Sequence, residues 1–127
     1  MDNMKACPID NTFAIIGRKF TVHIIRNMTR LNQSRFNEFL DSIEGINPKT
    51  LSARLREMEK NGLIERKIYP GSPVRIEYSM TEKGKALKPV LEQMAAFSMQ
   101  HCAKEVFKDG KPRVFKQVFE KPPRIAK

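Results

Sequence analysis

Asn47-Pro48-Lys49-Thr50-Leu51-Ser52-Ala53-Arg54-Leu55-Arg56-Glu57-Met58 is the stretch on which the reading of this chain turns. Asn47 is a natural N-cap, because its side-chain oxygen accepts from a backbone N–H of the first helical turn. Pro48 suits the first helical position, where no N–H is needed. Leu51, Leu55 and Met58 then recur at helical spacing and define a buried face. Lys49, Thr50, Ser52, Ala53 and Arg56 are left for the other side, and Asn61-Gly62 ends the helix. Just upstream, Phe36, Phe39, Leu40 and Ile43 follow the i, i+3, i+4, i+7 pattern of a short amphipathic helix, which Gly45 breaks.

Downstream the period changes from that of a helix to that of a strand. Ile64, Arg66 and Ile68 alternate with Glu65, Lys67 and Tyr69; after Pro70-Gly71-Ser72-Pro73, the residues Val74, Ile76, Tyr78 and Met80 alternate with Arg75, Glu77 and Ser79. Two alternating runs around a four-residue turn predict a β-hairpin. Arg66 shares a strand face with Ile64 and Ile68, which suits an anchor between hairpin and domain.

Working outward, Pro8 opens a first helix with Ile9, Thr12, Phe13 and Ile16 on one face, and Gly17 is expected to end it in a left-handed conformation. A second helix over about Lys19 to Met28 has a broad apolar arc, within which His23 reads as a satisfied core histidine. Thr81 caps a last helix carrying Leu87, Val90, Leu91, Met94, Ala95 and Phe97; Pro89 predicts a kink or a late start there. From Lys108 the helical signal weakens. Val114, Phe115, Val118 and Phe119 allow one more short helix, and Lys121-Pro122-Pro123-Arg124 reads as extended. The domain division expected is 1–107, with a basic extension over 108–127.

The fold class is thus mainly α with a small β-hairpin. A short helix, a glycine-containing turn, a capped helix and a hairpin are, in order, the parts of a winged helix-turn-helix. Lysine and arginine total 24 against 14 acidic residues, a net charge of +10 that favours a polyanionic partner, nucleic acid before an anionic membrane. Small, polar and basic side chains are what a major groove admits, and an arginine on a wing suits the electronegative minor groove. The DNA-contact candidates are therefore Asn47, Lys49, Thr50, Ser52, Ala53 and Arg56, with Ser34 and Arg35 before the preceding helix and Lys67 and Arg75 on the hairpin. The alternative is a winged helix used for protein or RNA contacts.

Other classes find little support. No run of about 18 apolar residues spans a membrane, and the N-terminal stretch lacks the apolar core of a secretory signal. Two cysteines do not make a disulfide scaffold, so a reducing cytosol is the expected compartment. For catalysis the only nucleophile–base pairing on offer is Cys7 with His23 or His101. No phosphate loop, cofactor signature or metal-spaced cluster accompanies it, so the expectation is no enzyme, no cofactor and no metal.

The ordered segments resemble the HxlR-type branch of MarR-like winged-helix regulators, from Cys7-Pro8 to about Phe97. They include Ile16-Gly17-Arg18-Lys19-Phe20, Arg35-Phe36-Asn37-Glu38-Phe39, the run from Gly45 to Leu55, Glu59-Lys60-Asn61-Gly62-Leu63-Ile64-Glu65-Arg66 and the run from Pro73 to Gly84. Phe20 stands where the family usually has tryptophan, and the basic tail runs longer than the family pattern. The resemblance implies a cytoplasmic homodimer paired through its terminal helices, regulating genes from an inverted-repeat operator with half-sites about one helical turn apart. The residue pattern agrees, since the first and last helices carry more apolar surface than so small a core needs. In several relatives the cysteine before this proline is a thiol sensor. Cys7 matches it, at a helix N-terminus whose dipole favours a thiolate. Cys102 is its candidate partner across a dimer, although a packed, inert cysteine fits the last helix too. A small-molecule or electrophile effector is compatible with this reading.

Overall fold

A computed structural model describes residues 3–116, and the chain divides into two compact units, Met1–Ala86 and Leu87–Lys127. The first unit opens with α1 (Pro8–Ile16), with Cys7 at its N-cap and Pro8 in its first turn. Gly17 does not take the left-handed conformation expected of it; its φ is −80°. Glycine is required there for closeness instead, since a Cβ would lie 2.5 Å from the Phe13 carbonyl oxygen. The left-handed residue is Phe20, at φ 77°, which for a bulky side chain costs on the order of 1–3 kcal/mol. This also moves the start of the second helix from the expected Lys19 to Thr21, because a positive φ does not fit a right-handed helix. The helix, α2 (Thr21–Arg30), continues past Met28.

His23 on α2 corrects a second expectation. Its Nδ1 is buried and has no hydrogen-bond partner among the described residues. The ring stands edge-on to Phe20 at 5.9 Å, and burial, reinforced by Arg26, holds its pKa below the usual histidine value. A neutral ring is the cheaper one to leave unpaired. The neighbouring Asn27 is fully buried and satisfied: its Nδ2 donates to Gln33 Oε1 at 3.0 Å and to Ser42 Oγ at 2.9 Å, and its Oδ1 accepts from Arg26 Nε at 2.9 Å. That cluster ties the end of α2 to α3 (Phe36–Ser42).

The next helix, α4 (Pro48–Lys60), packs against α3 and against the first hairpin strand. Ile24, Ile25, Phe39, Leu51, Leu55 and Met58 form the center of the first unit's core, each contributing roughly 1.5–3 kcal/mol by burial. The hairpin is β1 (Ile64–Tyr69) and β2 (Arg75–Met80), antiparallel, with Ile64 opposite Met80 and Tyr69 opposite Arg75. Val74, expected in the second strand, lies outside it and is exposed. In this register it would face Pro70, which has no N–H to extend the ladder. Thr81 then caps the short α5 (Glu82–Lys85), its Oγ1 accepting from Gly84 N at 3.1 Å and donating to Gly62 O at 2.5 Å. Gly84 sits so close to the hairpin base that a Cβ would collide with the Leu63 carbonyl oxygen.

In the second unit, α6 (Lys88–His101) is separate from the helix that Thr81 caps, with Leu87 at its N-cap rather than within it, and places Pro89 in its first turn, the late start that the proline predicted. Cys102 closes α6 and precedes α7 (Ala103–Val106). Beyond it the Arg113 guanidinium lies 4.0 Å from the Phe107 ring and pairs with Asp109 at 2.6 Å. The Lys111 N–H and then Arg113 hold the Asp109 carboxyl below the usual range. Helical residues resume at Phe115; Val118, Phe119, the Lys121–Arg124 stretch and Lys127 lie outside the described residues.

Both units keep apolar faces in contact with solvent. On α1, Ile9 and Phe13 are 79 % and 68 % exposed; on α6, Val90, Met94 and Phe97 stand out, Phe97 at 61 %.

Candidate nucleic-acid interface

The capped start of α4 is built as the sequence predicts. Asn47 Oδ1 accepts from Thr50 N at 2.9 Å, and Asn47 O accepts from Leu51 N at 2.9 Å. Leu51, Leu55 and Met58 turn inward, while Lys49 and Arg56 are exposed and Thr50, Ser52 and Ala53 half-buried. Helical spacing puts Lys49, Ala53, Arg56 and Lys60 on one outward stripe. Lys60, exposed and one turn beyond Arg56, escaped the sequence reading although the i, i+4 spacing would have found it.

Arg54 has the opposite fate. Its side chain is 12 % exposed; Nε donates to Lys19 O at 2.8 Å and Nη1 pairs with Glu57 at 3.1 Å. Arg18 reaches the same Glu57 oxygen at 3.5 Å. These contacts fasten the connection between α1 and α2 to α4, so one arginine of α4 holds the fold while its exposed cations are left for a partner.

Ser34 and Arg35 sit at the entrance to α3. Both backbone N–H groups donate to Glu38 Oε1, at 2.8 and 2.9 Å, and Ser34 O accepts from Tyr78 N at 2.7 Å. Ser34 thereby braces α3 against β2, and its side chain is half-buried; the Arg35 side chain is exposed. Arg66 pairs with Glu59 at 3.4 Å, the expected anchor between hairpin and α4. That pair flanks Tyr78, whose hydroxyl pKa is raised by burial, with Arg66 opposing and Glu59 adding to the rise.

Lys67 and Arg75 are brought onto one face of the hairpin, on either side of Tyr69. Lys67 Nζ lies 5.2 Å and Arg75 Cζ 4.6 Å from the ring centroid, and Arg75 Nε meets Glu77 Oε2 at 3.2 Å. Tyr69 and Glu77 were not singled out from the sequence, although strand alternation places them on the face of Lys67. Cys7 is exposed at the α1 N-cap and Cys102 is half-buried at the end of α6; both are free thiols. Among the described residues no group of three His, Cys, Asp or Glu could hold a metal, and no helix is long and apolar enough to cross a membrane.

A capped outward-basic helix beside a cationic hairpin is a winged helix-turn-helix, and a family model described as HxlR-like helix-turn-helix matches residues 15–106. The chain belongs to the HxlR-like helix-turn-helix family. It is 38 % identical over 88 residues to an uncharacterized HTH-type transcriptional regulator of Synechocystis, over 69 % of this chain and 64 % of that protein. To the HTH-type transcriptional regulator YodB of Bacillus subtilis it is 34 % identical over 100 residues, 76 % of this chain and 86 % of YodB. The reduced form of YodB has the same fold, with a TM-score of 0.66 over 78 % of this chain and 97 % of that one. The redox regulator HypR in its oxidized form also aligns, at 34 % identity and a TM-score of 0.66, over 72 % and 94 % of the two chains. This HxlR-type chain is a transcriptional regulator with a winged-helix fold. The HxlR-like match ends at Val106, so the basic segment that follows lies beyond it.

Proposed function

We propose that the chain acts as a cytoplasmic homodimer that binds an inverted-repeat operator in double-stranded DNA, with α4 in the major groove and the hairpin as a wing in the adjoining minor groove. The observation that carries this reading is the division of α4: Leu51, Leu55 and Met58 are almost wholly buried, and Lys49, Arg56 and Lys60 face solvent. Thr50, Ser52 and Ala53 are short enough to reach base edges from such a helix. Asn47 and Lys49 at its start, with Arg35, supply backbone contacts near a helix N-terminus. Lys67 and Arg75 serve the wing.

Dimerisation through α1 and α6 accounts for the exposed Ile9, Phe13, Met94 and Phe97, which a monomer would leave as an apolar liability. Thiol response is supported by the exposed Cys7 at the α1 N-cap and by relatives solved in reduced and oxidized forms. Cys102 of the second subunit is its candidate disulfide partner.

Selection from a random duplex pool tests the whole reading, at about 150 mM salt so that purely ionic binding is suppressed. Reduced protein is expected to enrich an inverted repeat, and diamide-treated protein to enrich it less, with a dimer band on a non-reducing gel. No enrichment by reduced protein would overturn DNA recognition. Enrichment unaffected by diamide, with both thiols still alkylatable, would overturn the thiol response alone.

A further inference from the structure

The hairpin face that carries Lys67 and Arg75 also carries an aromatic ring and a carboxylate. Antiparallel register sets Lys67 opposite Glu77 and Tyr69 opposite Arg75, so all four side chains leave the same face. Among the described residues no core lies beneath this end of the hairpin: Ile68 and Ile76 on the other face, and Val74 just before β2, are exposed. Arg75 is therefore positioned by surface contacts. The Tyr69 ring packs against its guanidinium at 4.6 Å, and Glu77 holds its Nε at 3.2 Å, while the arginine side chain remains 49 % exposed.

Each contact has a separate consequence. Stacking on Tyr69 restricts the arginine to few rotamers, so less ordering remains to be done on binding. The exposed ion pair with Glu77 is weak enough to be exchanged for another anion. The carboxylate also repels phosphates that approach from any direction. An arginine already paired gains most where the potential is more negative than at an ordinary stretch of backbone, and a narrow A-tract minor groove is such a place.

We propose that Tyr69 and Glu77 are positioning residues that clamp Arg75 and make the wing selective for a narrow, A·T-rich minor groove beside the half-site. Arg75 enters the groove; Tyr69 aims it; Glu77 holds it back from DNA of other shapes. This deepens the DNA-binding reading above and rests on it.

The test uses the full-length reduced protein and duplexes that share the selected operator and differ only in A-tract or G·C-rich flanks. Affinity is measured by fluorescence anisotropy across about 50–200 mM salt. Wild type is expected to favor the A-tract flank about five- to tenfold, the size of one unfavorable base-pair position. Glu77→Gln is expected to bind both duplexes more tightly, the G·C-flanked one most, so that the preference shrinks. Its salt dependence should steepen by about 0.9 per subunit, as one more phosphate contact becomes available to each wing. Tyr69→Leu should lose the preference without gaining affinity, and Tyr69→Phe should keep it. A merely structural role for either residue would change thermal stability and leave the flank ratio and salt slope alone; that result overturns the clamp. So does wild-type binding that is blind to the flanks. Failure of wild type to bind the operator in any arm overturns the DNA-binding reading itself, and the clamp with it.

Discussion

On α4 the apolar residues Leu51, Leu55 and Met58 are almost wholly buried, whereas toward the tip of the hairpin Ile68 and Val74 are about half exposed. Both regions offer cations to solvent, and they hold them by different means. The helix is fixed by the core beneath it, and its inner arginine, Arg54, spends its hydrogen bonds on Lys19 O and Glu57. Among the described residues the wing's anchors lie toward its base: the buried Ile64, Arg66 with Glu59, Ser34 O with Tyr78 N, and Thr81 N with Leu63 O. Toward the tip, a ring and a carboxylate do what burial does elsewhere. Substitutions in the helix interior should therefore be read as stability changes, and those on the wing as binding changes.

The largest expected effect lies in the core under α4. Leu55→Ala should destabilise the protein by about 2–5 kcal/mol, since Leu55 is 2 % exposed and its truncation removes buried methyl groups and leaves a cavity. Urea unfolding followed by circular dichroism measures it. A loss below about 1 kcal/mol would mean that α4 is not held by its buried face, and the contrast with the wing would break.

Two arginines on one helix sharpen the contrast at intermediate scale. Arg54→Ala should cost about 1–3 kcal/mol of stability, because a side chain only 12 % exposed loses its packing together with its bonds to Lys19 O and Glu57. Arg56→Ala should stay within about 0.5 kcal/mol of wild type in stability and weaken operator binding instead. Equal thermal shifts for the two variants would show that their different surroundings do not matter.

The smallest effect concerns pH. His23 is neutral in the fold, with its pKa lowered first by burial and then by Arg26. Between that lowered value and the ordinary 6.5, the unfolded chain takes up a proton that the folded chain refuses. Stability is thus full above 6.5, declines as pH falls through that window, and levels off below the folded value. His23→Phe should flatten this part of the stability–pH curve. A His23 NMR titration midpoint at or above 6.5 would remove the basis for this expectation.

Much of the fold is legible in the sequence. The Asn47 cap, the proline-led helices, the buried 51/55/58 face and the hairpin periods are local signals, and each appears where it was expected, except that the second strand begins at Arg75 and leaves out Val74. The candidate site was legible as a set of positions on α4, on the hairpin and at the entrance to α3. Its internal order was not: that Ser34 braces β2 through its carbonyl, or that Glu77 pairs with Arg75 beside Tyr69, depends on strand register and on side chains meeting in space.

Sequence by itself determined what short-range physics controls, namely capping, helical and strand period, turn residues and overall charge, because these act between residues a few positions apart. Only the tertiary structure decided that Phe20, rather than Gly17, takes the left-handed backbone, and that Arg54 turns inward toward an acceptor 35 residues away while Arg56 faces out. It likewise decided that His23 Nδ1 is buried without a partner among the described residues. Each of these is settled by packing between segments distant in sequence, where close contact and the need to satisfy buried polar groups outweigh local preference.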